Sequence, residues 1–95
     1  MSQNLPSALK LRVITPRRLL VDEDVEMVSL PSLEGYVGIL PGHRPLMLAL
    51  GRGEISFSQA QKQEAFAVQG GYAEIHPERI LVFTQIKEDE GSDSY

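Results

Sequence analysis

The chain has 95 residues, enough for one small domain with a single core. Its 9 Lys and Arg against 13 Asp and Glu give a formal net charge of −4, the wrong sign for a protein that binds nucleic acid by neutralising phosphates. It has no cysteine, which excludes disulfides and thiolate zinc sites, and no apolar run approaches the ~20 residues of a membrane-spanning helix.

The N-terminal region predicts a short extension followed by a strand. Residues 1–8 show neither a secretory nor a transit-peptide pattern, so we expect only an N-terminal extension there. The strand is predicted because apolar residues alternate with Lys10 and Arg12, and it should end at Thr15-Pro16. The alternating apolar residues are Leu9, Leu11 and Val13.

Two more strands and a long loop are predicted next. Residues 19–21 are apolar between charged turns, and 25–30 form a β-branched run whose phase changes, which indicates a bulge or a strand buried on both faces. Closely spaced Gly and Pro then make 31–45 a turn-rich loop with one short strand.

The second half continues the pattern of short strands. Segments 46–50 and 54–58 predict strands separated by a bend at Gly51-Arg52-Gly53, and the polar stretch 59–64 predicts a hairpin loop, with a helix as the minority alternative. Further strands are predicted at 66–68, 72–75 and 80–84, with Gly70-Gly71 between the first two. Residues 87–95 are acidic and contain Gly and Ser, so we expect a flexible tail.

This succession of short strands without an amphipathic helix predicts an all-β fold, either an antiparallel sandwich or a small barrel. The aromatic residues are expected to lie mostly in the core, with Tyr36 as the exception.

No arrangement of residues indicates catalysis or a metal site. His43 and His76 stand alone in turns, without other ligands at zinc-binding spacing, and no serine lies in a Gly-x-Ser-x-Gly elbow. The glycine pairs lack the strand-to-helix context of a phosphate-binding loop. We therefore expect no enzyme activity and no cofactor. For His43 we expect a hydrogen bond to backbone, with a partner contact as the alternative.

The loop from Glu34 to His43 is the strongest candidate for recognition. It combines an aromatic ring at Tyr36 with apolar residues and rigid Gly and Pro positions, a composition common in binding loops. The composition is equally consistent with a plug for the end of the sandwich, formed by Val37, Ile39 and Leu40.

The same stretch resembles the signature loop of the epsilon subunit of F-type ATP synthases, called delta in mitochondria. The similar residues are Glu34-Gly35, Gly38-Ile39-Leu40-Pro41-Gly42-His43 and Pro45-Leu46, with further similarity at Leu11 to Pro16, Val25 to Pro31, Ala49 to Gly53, Phe66 to Ile75 and Ile80 to Thr84. The resemblance covers about residues 9–86.

The resemblance implies a two-sheet antiparallel sandwich of about ten short strands. It also implies a non-catalytic rotor subunit that attaches the gamma subunit to the c-ring and supports the coupling of ion translocation to ATP synthesis. The partner-binding positions carried over are Thr15, Glu34, Tyr36, Pro41 and His43. Contact with the bacterial inner membrane, or its organellar equivalent, would occur at its cytoplasmic face and only through partner subunits.

Two features depart from the family pattern. Many relatives have an acidic or polar residue at the position of Tyr36, so an apolar contact is expected here. Family members also continue into two C-terminal helices that inhibit ATP hydrolysis and in some species bind ATP. The nine residues after Ile86 would span only ~13 Å as a helix, so we expect no such hairpin, no helical inhibition and no ATP binding.

Two other functions stay open at this stage. A free-standing ligand-binding module could share the sandwich fold, because fold does not determine function. A small hydrolase on a β scaffold would require a Ser, His and Asp cluster formed only in three dimensions.

Overall fold

The computed structural model describes residues 7–85, which form seven strands and no helix. In chain order the strands are β1 (Leu9–Ile14), β2 (Leu19–Val25), β3 (Met27–Ser32), β4 (Gly35–Ile39), β5 (Leu46–Gln59), β6 (Lys62–Ile75) and β7 (Arg79–Thr84). The predicted all-β class is confirmed. The predicted acidic tail, 87–95, lies outside the described residues.

The seven strands belong to one hydrogen-bonded sheet in the order β2-β1-β7-β6-β5-β3-β4. All neighbours are antiparallel except β1 and β7, which run parallel. The expectation of about ten strands in two separate sheets is therefore not confirmed for the described residues.

The lower strand number has a physical cause in β5 and β6. Each is 14 residues long, and the two pair from Leu46↔Ile75 to Gln59↔Lys62. The glycines at 51–53 and 70–71 bend these strands without ending them, although each was expected to separate two strands. The hairpin predicted at 59–64 is confirmed, but its turn contains only Ala60 and Gln61.

The bends divide the sheet into two halves. Half A contains β2, β1, β7 and the paired segments 46–50 and 71–75, whereas half B contains β3, β4 and the paired segments 52–59 and 62–69. Buried side chains from both halves form one cluster, so the halves face each other as the layers of a sandwich.

A single residue, Glu26, carries the chain from half A to half B. β2 ends at Val25 and β3 begins at Met27, and the Glu26 N–H donates to the carbonyl of Ser58 at 2.8 Å. The expectation of one bulged or doubly buried strand over 25–30 is therefore wrong. The change of phase marks the point where the chain leaves one strand and enters another.

The core is almost entirely aliphatic. Among residues 7–85, Phe57 is the only buried aromatic residue, so the expectation that most aromatics lie inside is wrong: Tyr36 and Tyr72 are exposed, and Phe66 and Phe83 are half-buried. Other core side chains include Leu9, Leu11, Val13, Val28, Leu30, Ile39, Ile55, Ile75, Ile80 and Val82. Within the described part of the chain, no helix has the length and apolar character needed to cross a membrane.

Candidate functional site

The five predicted partner-binding residues occupy three separate places. Thr15 lies just after β1. In the β3–β4 hairpin, Glu34 lies in the turn and Tyr36 at the start of β4, whereas Pro41 and His43 lie in the loop between β4 and β5. The structure therefore does not gather them into one pocket, and each place has its own geometry.

Thr15 is a buried residue that organises the turn between β1 and β2. Its side chain is only 7% exposed, and its hydroxyl donates to the carbonyl of Arg18 at 3.1 Å. The same oxygen accepts hydrogen bonds from the backbone N–H groups of Arg17 and Arg18, both at 3.2 Å. These three bonds occupy the hydroxyl within the turn, so Thr15 shapes the surface around it.

The β3–β4 hairpin presents Glu34 and Tyr36 to solvent. Ser32 fixes the turn because its hydroxyl donates to the carbonyl of Gly35 at 2.6 Å and accepts from the Glu34 N–H at 3.1 Å. The ring of Tyr36 is 62% exposed, yet its hydroxyl accepts a hydrogen bond from the Glu54 N–H of β5 at 3.0 Å.

Pro41 and His43 lie in a tight turn at the opposite end of the sandwich. The His43 N–H donates to the carbonyl of Leu40 at 3.2 Å, and Gly42 between them has a φ of 91°, as a type II turn requires. The Gly42 N–H donates to the carbonyl of Pro77 at 2.8 Å, which ties this turn to the β6–β7 turn.

His43 makes the backbone hydrogen bond that its isolated position predicted. Its Nδ1 lies 2.7 Å from the carbonyl oxygen of Arg44, and because a carbonyl only accepts, Nδ1 carries the hydrogen. The plug interpretation of this loop is right for two of its three residues. Ile39 is fully buried and Val37 is partly buried against the core, whereas Leu40 is 59% exposed.

An apolar row crosses the outer face of half A. Cross-strand pairing places five residues side by side on five strands, and we call them the outer row: Ala49, Tyr72, Phe83, Ile14 and Leu19. The rings of Tyr72 and Phe83 stack with centroids 5.1 Å apart, and Tyr72 is 43% exposed. Thr15 and Pro16 border the groove beside these two rings.

Sequence reasoning missed the outer row, although a local signal existed. Ile80 to Thr84 is apolar on both faces, with Leu81 and Phe83 opposite Ile80 and Val82, and a strand of that kind is usually covered on both sides. A row across five strands can be recognised only when the pairing of distant segments is known, and a short stretch of sequence does not contain that pairing.

The charged side chains on this face belong to β1 and β2, beside the outer row. Lys10 contacts Asp24 at 3.4 Å and Asp22 at 3.8 Å, and the Arg12 Nε donates to Asp22 at 3.1 Å. These side chains are well exposed, so each pair stabilises the fold only weakly. Among residues 7–85, no group of three or more His, Cys, Asp or Glu side chains is arranged to hold a metal ion.

Known proteins match this chain over most of its length. A family model described as "ATP synthase, Delta/Epsilon chain, beta-sandwich domain" matches residues 8–89. An ATP synthase epsilon chain of Herpetosiphon aurantiacus is 38% identical over 80 residues, covering 84% of this chain and 59% of the relative. One from Solibacter usitatus is 37% identical over 84 residues, covering 88% and 63%. The chain thus spans about three-fifths of the length of the curated relatives it matches.

Solved structures share the fold. A chain in the Euglena gracilis mitochondrial ATP synthase structure of OSCP, F1 and c-ring has a TM-score of 0.80 at 22% identity, with 88% of this chain and 54% of that chain covered. A chain in the Tetrahymena thermophila mitochondrial ATP synthase central stalk and c-ring has a TM-score of 0.71 at 12% identity, with coverage of 90% and 77%. With the family match over residues 8–89, these observations establish that the chain belongs to the ATP synthase delta/epsilon family, through its β-sandwich domain.

Proposed function

We propose that this chain is a rotor subunit in the central stalk of an F-type ATP synthase. It attaches the gamma subunit to the c-ring and supports the coupling of ion translocation to ATP synthesis, without an active site of its own. The proposal rests on one observation: an apolar row crosses the outer face of a domain whose relatives are named ATP synthase epsilon chains. We propose residues 9–86 as this domain.

The outer row is the proposed surface for the gamma subunit. Its exposed members include Leu19, at 50%, and the stacked Tyr72 beside the half-buried Phe83. A contiguous apolar surface of this kind is typical of a protein interface, because burying it against a partner removes it from water. Thr15 borders the row, which supports the position next to gamma that the family resemblance implies for it. It would contribute to this surface indirectly, by fixing the shape of the β1–β2 turn.

The β3–β4 hairpin and the Pro41–His43 turn lie at opposite ends of the sandwich, so they are two separate proposed contact surfaces. We assign the hairpin to the c-ring and the turn to gamma. Glu34 and Tyr36 offer a charge and an exposed ring, and the exposed side chain of Leu40 precedes the Pro41–His43 turn. Contact through these residues would associate the chain with the cytoplasmic face of the bacterial inner membrane through its partners alone.

The test is binding to a purified gamma subunit and c-ring from the same source. Tyr72→Asp places a charge in the middle of the outer row, and we expect affinity for gamma to fall at least tenfold, as for an interface anchor worth about 2 kcal/mol. The matched control is Gln63→Asp, which adds the same charge at an exposed position of β6 in half B and should bind normally.

Two outcomes would contradict the proposal at different levels. Equal gamma affinity for Tyr72→Asp and the unaltered chain, with both folded by circular dichroism, would show that the outer row is not the gamma surface. If the unaltered, folded chain binds neither gamma nor the c-ring, the rotor function itself is wrong and the free-standing binding module becomes the better interpretation.

A further inference from the structure

The β3–β4 hairpin lies against a break in the pairing between β3 and β5. From Ser29 to Ser32, β3 advances three residues, while its partner segment in β5, from Ser56 to Leu50, advances six. The extra length of β5 is the bend that contains Gly51 and Gly53. The backbone in this bend lacks the regular ladder partners that β3 supplies elsewhere.

Tyr36 reaches across β3 to fill part of this gap. Its register partner on β3 is Pro31, and beyond that strand its hydroxyl accepts the hydrogen bond from Glu54. A Cβ added at Gly53 would lie 2.6 Å from the Tyr36 hydroxyl oxygen and 2.8 Å from Pro31 Cβ. The φ of Gly53 is not positive, so glycine is required here for space, which the Tyr36 ring and Pro31 both occupy.

Leu33 packs on the neighbouring glycine. Its backbone N–H donates to the carbonyl of Ala49 at 3.2 Å, just before the bend. A Cβ added at Gly51 would lie 3.4 Å from Leu33 Cδ2. Two large side chains of one hairpin therefore rest on two glycines of one bend, with Glu34 between them in sequence.

We propose that Tyr36 and Leu33 are positioning residues that seat the hairpin on Gly51 and Gly53 and so hold Glu34 at a fixed place on the proposed c-ring surface. Each seated side chain uses one face for the bend and leaves the rest open, because Leu33 is 70% exposed and Tyr36 62%. The inference rests on the proposed function for its partner. We call the contacts of Tyr36 with Gly53 and of Leu33 with Gly51 the seat, and it depends only on residues within the chain.

The first experiment measures hydrogen exchange of the Glu54 amide in the isolated 95-residue chain. Tyr36→Phe keeps the ring and removes only the acceptor, so we expect this amide to exchange about tenfold faster, the value of one typical hydrogen bond. The Ile55 amide next to it should be unchanged. Equal Glu54 exchange in Tyr36→Phe and the unaltered chain would overturn the seating by the hydroxyl.

The second experiment tests whether Tyr36 and Gly53 act as a pair. Gly53→Ala should lower the Tm by about 5–10 °C because the new methyl group displaces the ring. In a Tyr36→Ala background the same change should lower the Tm by a smaller amount, since the overlap with the ring is gone while the 2.8 Å contact with Pro31 Cβ remains. An equal drop in both backgrounds would show that the ring does not occupy the seat.

Gly38→Ala is the matched control on the same strand as Tyr36. Its added Cβ would meet only Met27 Cε, at an ordinary 3.7 Å, so its Tm should stay within about 2 °C of the unaltered chain. A comparable loss for Gly38→Ala would mean that any added methyl group destabilises this region and would remove the support for a specific seat.

The third experiment asks whether seating matters for binding. Tyr36→Phe should weaken c-ring binding about threefold to tenfold. Because phenylalanine keeps the exposed ring surface, this loss of affinity would come from the missing hydroxyl and not from a missing ring contact. Unchanged c-ring affinity combined with faster Glu54 exchange would overturn the positioning role. If the unaltered chain does not bind the c-ring, the proposed function fails, while the exchange and melting results still decide whether the seat exists.

Discussion

At the scale of single residues, Gly71 is the position where the fold tolerates no side chain. Its φ of 110° lies in the region that favours glycine, and an added Cβ would overlap the carbonyl oxygen of Phe83 and lie 2.8 Å from Thr84 Cα. Both obstacles belong to the backbone of β7, which is fixed by its pairing with β6, so neither can move aside. The bend of β6 therefore depends on close approach as well as on conformation.

Gly71→Ala should lower the free energy of unfolding by about 4 kcal/mol or prevent folding, because strain and overlap act together. Gly35→Ala is the matched control, since Gly35 has a φ of 127° but nothing within 4 Å of an added Cβ, and it should cost only about 1–2 kcal/mol. Urea unfolding followed by circular dichroism gives both values. Equal losses at the two positions would contradict the role of close approach.

Thr15→Val tests the hydroxyl that organises the β1–β2 turn. The change keeps the shape and removes three hydrogen bonds at a buried site, so the free energy of unfolding should fall by about 1–3 kcal/mol. Thr15→Ser retains the hydroxyl and should cost less than half of that. If Thr15→Val is as stable as the unaltered chain in urea, the turn does not depend on these bonds.

At the scale of strands, the local alternation of apolar and polar residues located every strand but not where the strands end. The acidic residues 22–24, expected in a charged turn, lie inside β2 and pair with β1. Leu46–Gln59 was expected as two strands because glycines interrupt the apolar pattern, yet the pairing with β6 continues on both sides of the bend. The opposite error occurred at Glu26, where an unbroken run proved to be two strands. Pairing with a distant segment decides such boundaries, and a local pattern does not contain it.

Phe57→Ala tests the register of β5. Phe57 is 3% exposed and belongs to the core, so its removal should lower the free energy of unfolding by about 3–5 kcal/mol. Phe66 stands edge-on to it at a centroid distance of 6.5 Å but is half-buried, so Phe66→Ala should cost about half as much. Urea unfolding measures both. A near-zero cost for Phe57→Ala would contradict its place in the core.

At the scale of the whole molecule, the bent sheet behaves as one body because its two halves share one core. Leu30 and Ile55 of half B belong to the same buried cluster as Leu11 and Ile80 of half A. Neither half can unfold without exposing apolar surface of the other, which favours a single cooperative transition. A stiff, single-core domain also suits the proposed rotor, since it transmits a displacement at one surface to another.

Urea unfolding should therefore give the same midpoint whether it is followed by the fluorescence of Tyr36 in half B or of Tyr72 in half A. Tyrosine fluorescence of Tyr36→Phe and Tyr72→Phe variants that also carry Tyr95→Phe, so that each keeps one tyrosine, is compared with circular dichroism of the same variant. Different midpoints for the two probes within one variant would show that the halves unfold separately. Such a result would contradict the shared core.

The sequence by itself determined the all-β class and the family, because period-two alternation, Gly and Pro positions and the 34–46 loop are local features of the chain. It also predicted the backbone hydrogen bond of His43 and the exposure of Tyr36. Only the tertiary structure decided that the strands form one bent sheet, that Thr15 is buried, and that Tyr72 and Phe83 join a row across five strands. These outcomes depend on which distant segments pair, and the free energy of pairing and burial is a property of the assembled sheet.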